Sequence, residues 1–148
     1  ETRNVILMRD LKRITYRDSC TVATGTLNDP YTGKVINFVR GVGTSNAVQI
    51  DHVVALSDAW QKGAQKLSFS VRVSFANDPL NLMAVDGPTN GQKSDSDAAS
   101  WLPPRKSYRC AYVARQIAVK RKYAIWVTAA EKSAMQGILR TCPTQRLP

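Results

Sequence analysis

The pattern of hydrophobic and polar positions predicts a helix and then a hairpin in the first part of the chain. Residues 3–14 place apolar side chains along one helical face, which predicts an N-terminal helix. The next two apolar runs, 20–27 and 34–40, are rich in β-branched residues, and the loop between them carries Pro30 and Gly33. This composition is typical of two antiparallel strands joined by a turn.

Short elements are predicted in the middle of the chain. Their order is a strand at 47–54, a helix at 56–66, a strand at 81–85 and a helix at 88–93. Ser57 or Asp58 is the expected cap of the first of these helices, and Thr89 that of the second. Because short strands are mixed with separate helices, the fold class we predict is α+β.

Two C-terminal helices are predicted by spacing and by capping. Five apolar residues recur at the i, i+3, i+4, i+7 and i+8 positions of one helix face: Cys110, Val113, Ala114, Ile117 and Ala118. The last helix begins with the capping box Thr128-Ala-Ala-Glu131 and runs to about residue 140. The basic segment 120–122 is either a solvated helix end or a nucleic-acid contact. No linker or repeat divides the chain, so a single domain over residues 1–148 is expected.

Composition and charge narrow the classes of function. The chain has 148 residues, 43% of them hydrophobic. No apolar run approaches the roughly 20 residues that a membrane-spanning helix needs. The chain holds 21 Lys and Arg residues against 11 Asp and Glu residues, which gives a net charge of +10. A nucleic-acid backbone is the expected partner, and a generally basic surface is the alternative. The first residues lack the basic and then apolar pattern of an export signal, so they are uninformative about export.

The three cysteines favour a disulfide over a metal site. Cys20, Cys110 and Cys142 lack paired CxxC spacing and the chain has one histidine, so structural zinc is not expected. Cys110 and Cys142 lie at the far ends of the two C-terminal helices, which an antiparallel arrangement would bring together. A disulfide there predicts an oxidising compartment, hence a secreted or extracellular protein. Two buried thiols in a cytosolic protein are the alternative.

The single histidine is the centre of the candidate chemistry. His52 follows Asp51 inside an apolar run, and the simplest interpretation is a core histidine held by hydrogen bonds. Serine-histidine catalysis would need a GxSxG elbow, which is absent. Metal-assisted phosphodiester hydrolysis needs an imidazole, hard oxygen ligands and cations near phosphate. The carboxylate of Asp51 and the amide oxygen of Asn90 both suit Mg²⁺. Since neighbours on a strand point to opposite faces, Asp51 and His52 can share a site only where the strand ends or bends.

The order of these residues resembles the HNH endonuclease motif. Asp51-His52, Asn81, Asn90 and Lys93 occur in sequence, within the words FANDPLNL at 75–82 and WLPP at 101–104. The chain is similar to secreted bacterial HNH proteins related to the C-terminal nuclease domain of GmrSD-type restriction enzymes. The similarity extends over most of the chain. It departs from the common pattern in carrying Asn90 where the last metal-binding residue is usually His, and in a longer insertion before Asn81.

The resemblance implies a ββα-metal finger at about residues 47–101 and a role for each motif residue. Asp51 and Asn90 would hold one divalent ion, Mg²⁺ or Mn²⁺, and His52 would be the general base. Asn81 would hold the His-bearing loop through backbone hydrogen bonds, although a purely structural turn role is the alternative. Lys93 and Arg72 are candidate phosphate contacts, or else ordinary surface cations.

Two further consequences concern carboxylates and the unpaired cysteine. Asp95 and Asp97 are expected to be helix-start carboxylates and not ligands. The family also often has a cysteine just before the Thr2-Arg3-Asn4 segment, which would leave Cys20 without a partner in this chain.

The function we predict is a metal-dependent endonuclease that hydrolyses phosphodiester bonds of nucleic acid, with DNA favoured. The alternative from a different class is a cationic nucleic-acid-binding module without catalysis. No membrane partner is expected.

Overall fold

The computed structural model describes all 148 residues and shows an α+β fold, as the sequence predicts. The helices are α1 Thr2–Asp10, α2 Leu56–Gln61, α3 Phe69–Ala76, α4 Gly87–Lys93, α5 Arg109–Tyr123 and α6 Ala129–Leu139. The strands are β1 Lys12–Asp18, β2 Thr21–Asn28, β3 Val35–Val39, β4 Val48–His52 and β5 Leu82–Asp86. None of the helices is long and apolar enough to span a bilayer.

The first sheet is antiparallel in the order β1-β2-β3 and contains the predicted hairpin. Asn28 pairs with Val35 at the closed end of the hairpin, and Gly33 in the connecting loop has a positive φ of 78°. The loop is held by the Asp29 carboxylate, which accepts hydrogen bonds from the backbone amides of Tyr31 and Thr32. Asp29 also accepts one from the amide of Asp86 in the second sheet, so this loop is tied to the other half of the molecule.

The N-terminal helix is shorter than predicted. α1 ends at Asp10, and the chain from Lys12 forms strand β1. The prediction of a helix over 3–14 is therefore wrong beyond Asp10. The helix prediction failed because pairing of β1 with β2 outweighs local helical preference. The buried face of α1 consists of Asn4, Ile6 and Leu7, while the apolar side chain of Val5 is 55% exposed.

The second sheet joins β4 and β5 in antiparallel register, from Val48 opposite Asp86 to His52 opposite Leu82. Helix α4 begins directly after β5, which completes a ββα unit. Asp86, not the predicted Thr89, caps this helix by accepting a hydrogen bond from the Thr89 amide at 3.1 Å. Gly87 is required at the turn, because a Cβ there would lie 1.9 Å from the carbonyl oxygen of Asn46.

The insertion between β4 and β5 differs from the prediction in two ways. Helix α2 ends at Gln61, and its N-cap is Ala55 without a side-chain hydrogen bond, so neither Ser57 nor Asp58 is the cap. A second helix, α3, was not predicted; it is capped by Ser68, whose hydroxyl accepts from the amide of Val71.

The C-terminal helices surround a buried cluster of charges. Lys120 is 4% exposed and pairs with Glu131 at 2.8 Å, so it is neither a solvated helix end nor a nucleic-acid contact. Lys62 of the α2 end pairs with Asp58, Asp97 and Glu131 at 2.5, 2.7 and 2.9 Å. Burial lowers the pKa of Lys62, but its hydrogen bonds to the three carboxylates outweigh burial and raise that pKa above its usual range. Glu131 also completes the predicted capping box with Thr128.

The buried face of α5 is rotated from the predicted one. The buried residues of this helix are Tyr112, Val113, Ala114, Gln116, Val119, Lys120 and Tyr123. Only Val113 and Ala114 belong to the predicted face, because the charge cluster and the hydrogen bond from Gln116 to the Val53 carbonyl draw polar positions inward.

The structure contains the predicted disulfide between Cys110 and Cys142, which joins the start of α5 to the end of α6 across a Cα–Cα distance of 6.5 Å. Cys20 is a free, exposed thiol.

Reduction of this disulfide should lower stability substantially. The bond closes a loop with a sequence separation of 32, which the chain-entropy treatment values at about 3–4 kcal/mol. Urea unfolding of Cys20→Ser with and without reductant measures the difference, the substitution serving to prevent thiol exchange.

Tryptic digestion of unreduced protein should yield linked peptides 110–115 and 141–146. Recovery of both peptides separately would contradict the pairing.

Candidate active site

A hollow of about 320 Å³ lies at the end of β4, between this strand and helix α4. It is lined by Ile50, Asp51, His52, Ala55, Leu56, Ser57, Asn90, Ser94 and Asp95. Three predicted site residues, Asp51, His52 and Asn90, therefore meet in one place. The strand ends at His52, as a shared site for Asp51 and His52 requires.

The His52 imidazole is held on one side and free on the other. Its Nε2 lies 2.8 Å from the carbonyl oxygen of Ala76, the last residue of α3. Because a carbonyl oxygen can only accept, Nε2 carries the proton and donates it. In the neutral ring Nδ1 then keeps an unshared electron pair. His52 is half-buried and lines the hollow, so its contact with Ala76 orients the ring without enclosing it.

Asp51 is a buried carboxylate with two protein donors. Its Oδ1 accepts a hydrogen bond from Lys93 Nζ at 3.0 Å, and its Oδ2 accepts one from the Tyr31 hydroxyl. Burial raises the pKa of Asp51, and the neighbouring Lys93 ammonium and Tyr31 hydroxyl oppose that rise. The pKa of Tyr31 is raised well above its usual value by burial and by the Asp51 charge, so Tyr31 stays a neutral donor.

Lys93 does not face the hollow. Its side chain is fully buried, and its ammonium donates to Asp51 and, at 2.8 Å, to the backbone carbonyl of His52. The expectation that Lys93 contacts substrate phosphate is therefore wrong: a cation with no solvent exposure and two oxygen partners fastens the end of α4 to β4 instead.

The two asparagines of the motif have separate tasks. Asn81 is fully buried; its Oδ1 accepts from the Val54 amide at 2.8 Å and its Nδ2 donates to the Val54 carbonyl at 3.1 Å. These are backbone contacts to the loop after His52, of the kind that the resemblance implies. Asn90 donates through Nδ2 to Gln49 Oε1 at 2.9 Å, which leaves its Oδ1 without a protein donor at the hollow.

Arg72 does not line the hollow. The expected contact with a substrate phosphate would have to be made inside the hollow. Its Nη1 donates to the Leu67 carbonyl at 2.6 Å, and its guanidinium lies over the rings of Trp60 and Phe69. These contacts place Arg72 at the surface between α2 and α3.

The carboxylates after α4 are not helix-start residues, because residues 95–98 form turns and irregular backbone. Asp97 pairs with Lys62 in the charge cluster, whereas exposed Asp95 lines the hollow beside Asn90. The expectation that Asp95 stands at the start of a helix is therefore wrong.

Tyr31 and Gln49 are the site residues that the sequence analysis missed. Tyr31 reaches Asp51 from the hairpin loop, and Gln49 orients the Asn90 amide. The only signal for Tyr31 was its place in the predicted hairpin loop, between Pro30 and Gly33. Alternation along β4 is the one signal for Gln49, since it puts positions 49 and 51 on the same face.

The free oxygen atoms at the hollow fit a hard divalent cation that keeps most of its water ligands. No group of three or more His, Cys, Asp or Glu side chains is arranged to hold a metal. Each Asp51 oxygen accepts one hydrogen bond and has a further lone pair, and Asn90 Oδ1 is free. Two oxygen ligands with the rest supplied by water and phosphate are the usual manner of binding Mg²⁺.

Comparison with known proteins assigns the chain to a family. The profile of the GmrSD restriction endonucleases, C-terminal domain, matches residues 1–138. The chain belongs to this family. Membership in the GmrSD C-terminal domain family indicates a nuclease, and hence nucleic acid as the substrate. A protein of Arthroderma benhamiae (strain ATCC MYA-4681 / CBS 112371), named "Uncharacterized secreted protein", is 41% identical over 143 residues; the match covers 95% of this chain and 67% of the relative.

Replacement of Asn81 should destabilise this member of the GmrSD C-terminal domain family. Asn81→Ala leaves the Val54 amide and carbonyl buried without their partner, which should lower the free energy of unfolding by about 1–3 kcal/mol. Urea unfolding measures it, with Asn77→Ala as the control because Asn77 is exposed. Equal effects of the two substitutions would show that the Asn81 contacts are not what holds the loop.

Proposed function

We propose that the protein is a metal-dependent endonuclease of the HNH type, with His52 as the general base and DNA as the preferred substrate. The observation that carries the proposal is the orientation of His52, whose Nε2 is bound to the Ala76 carbonyl while the ring lines the hollow that Asp51 and Asn90 share. The family of restriction endonuclease domains supports a nuclease, and restriction enzymes cut DNA.

The proton inventory follows from this orientation. Nδ1 of His52 takes a proton from water, the water oxygen forms a bond to phosphorus, and the bond from phosphorus to the 3′-oxygen breaks. The leaving oxygen takes a proton from solvent. Because Nε2 is held by Ala76, Nδ1 is the ring nitrogen left to take the proton. The same hydrogen bond stabilises the imidazolium that forms, because a carbonyl oxygen remains a good acceptor for the charged ring.

Asp51 and Asn90 are the residues that would hold one Mg²⁺ or Mn²⁺ ion. Such an ion, when bound, stabilises negative charge on the phosphoryl and leaving oxygens. Asn90 contributes no charge, and the Asp51 charge is partly balanced by Lys93 at 3.0 Å. Metal affinity should therefore be modest and rely on substrate phosphates.

We further propose that the protein is extracellular and that residues 1–148 act as one nuclease domain with its ββα core at about 47–101. The Cys110–Cys142 disulfide supports an oxidising compartment, and the A. benhamiae relative carries the word "secreted" in its name.

Removal of the general base should abolish cleavage and spare binding. His52→Ala is expected to lower the rate of supercoiled plasmid cleavage by about 10²- to 10⁴-fold, since nucleic-acid binding depends on Lys and Arg side chains. Gel electrophoresis measures the rate and fluorescence anisotropy the binding. Gln136→Ala, an exposed substitution on α6, is the control. Near-wild-type cleavage by His52→Ala would refute the mechanism, and a wild-type protein that binds but never cuts would favour the non-catalytic binding module.

Changes at Asn90 should move the metal requirement in both directions. Asn90→Ala removes a neutral oxygen ligand and should raise the Mg²⁺ concentration needed for half-maximal cleavage, whereas Asn90→Asp adds a charge and should lower it. Calorimetric titration with Mn²⁺ gives the same comparison without activity. Chelation should stop cleavage and leave the unfolding transition in place, because the expected ion serves the reaction and we predict no structural zinc. An unchanged metal requirement in both variants would remove Asn90 from the site.

A further inference from the structure

An exposed aromatic surface lies beside the hollow, between helices α2 and α3. It encloses a groove of about 250 Å³ lined by Leu56, Trp60, Ala64, Arg72, Phe75 and Ala76. Trp60 is 49% exposed, and Phe69, which flanks Arg72, is 74% exposed. We call these lining residues together with Phe69 the aromatic groove. Large rings left in water next to a candidate active site mark a surface that binds something.

The aromatic groove is continuous with the hollow. Leu56 lines both depressions. Ala76, which also lines the groove, supplies the carbonyl that orients His52. A ligand that crosses the hollow can therefore place its next unit in the groove without leaving the surface.

Arg72 fixes the shape of the groove. Its guanidinium carbon lies 5.5 Å from the centroid of the Trp60 ring and 5.9 Å from that of the Phe69 ring, within cation–π range of both. Its bond to the Leu67 carbonyl holds the side chain in place. The guanidinium thus lies against both exposed rings and adds a positive charge beside them.

Flat apolar faces beside a fixed cation fit a ligand that is both aromatic and anionic. Nucleobases stack on tryptophan, phenylalanine and guanidinium planes, and the phosphates joining them are attracted by a chain with a net charge of +10. An aliphatic segment of another protein would cover the rings and gain nothing from Arg72.

We propose that the aromatic groove stacks an unpaired nucleobase of the strand whose phosphate lies in the hollow. This inference rests on the proposed nuclease function and adds the class of substrate. Because bases inside a duplex are stacked on one another and unavailable, the preferred substrate is single-stranded or locally unpaired nucleic acid.

Binding in chelator tests the groove separately from cleavage. The wild-type chain is titrated in EDTA with oligothymidylate, with an abasic oligonucleotide of equal length and with a duplex. Oligothymidylate should bind about 5- to 100-fold more tightly than the abasic strand, which carries the same phosphates without bases. Trp60→Ala and Phe69→Ala should reduce this difference and leave duplex binding unchanged. Trp126→Ala is the matched control, because Trp126 is 48% exposed and lies outside the groove.

The outcomes separate the inference from the proposed function. Equal affinity for the abasic strand and oligothymidylate, or equal losses in Trp60→Ala and Trp126→Ala, would overturn base stacking even if the protein cuts DNA. A wild-type chain that binds oligothymidylate more tightly than the abasic strand but does not cut nucleic acid would overturn the nuclease proposal alone. Self-association of the wild type that Trp60→Ala abolishes, with unchanged oligonucleotide affinity, would assign the groove to a protein contact and overturn the inference.

Discussion

The buried ion pair between Lys93 and Asp51 is the interaction on which the candidate site depends. It joins the last residue of α4 to β4 one position before His52, and Lys93 also donates to the His52 carbonyl. Because both side chains are almost fully buried, loss of either partner would leave an uncompensated charge at a cost of about 3–5 kcal/mol. The pair thereby ties the helix that carries Asn90 to the strand that carries His52, and both residues line one hollow.

The other contacts hold the histidine from the remaining sides. Asn81 binds the backbone of Val54 and so fixes where the chain goes after β4, while the carbonyl at the end of α3 sets the ring orientation. Contacts from residues that follow His52 by 24 to 41 positions therefore define the position of its imidazole. The candidate site is held by hydrogen bonds around His52 and is open where Asn90 and Asp95 line the hollow, which suits the proposed hydrated cation and substrate phosphate.

Local chemistry made part of the fold predictable. The hairpin followed from its loop composition, α6 from its capping box, and the shared position of Asp51, His52 and Asn90 from the family resemblance. Strand β1 did not follow, because its structure depends on pairing with β2 and not on its own periodicity. The exposure of the charged residues was the part that the sequence predicted worst, because Lys93 and Lys120 look like surface cations. Both are buried in the fold, where they pair with Asp51, 42 positions away, and with Glu131, 11 positions away. Tyr31 joined the site through the same kind of long-range contact.

The proposed hydrolytic metal site of the β4–β5–α4 unit lies between Asp51 and Asn90. The most direct measurement is the anomalous difference density of crystals soaked in Mn²⁺ and recorded at the manganese absorption edge. One peak is expected in the hollow, in contact with an Asp51 carboxylate oxygen and with Asn90 Oδ1, and His52 Nδ1 should face it across the space for a phosphate. A peak elsewhere, or an empty hollow at Mn²⁺ concentrations that support cleavage, would contradict it.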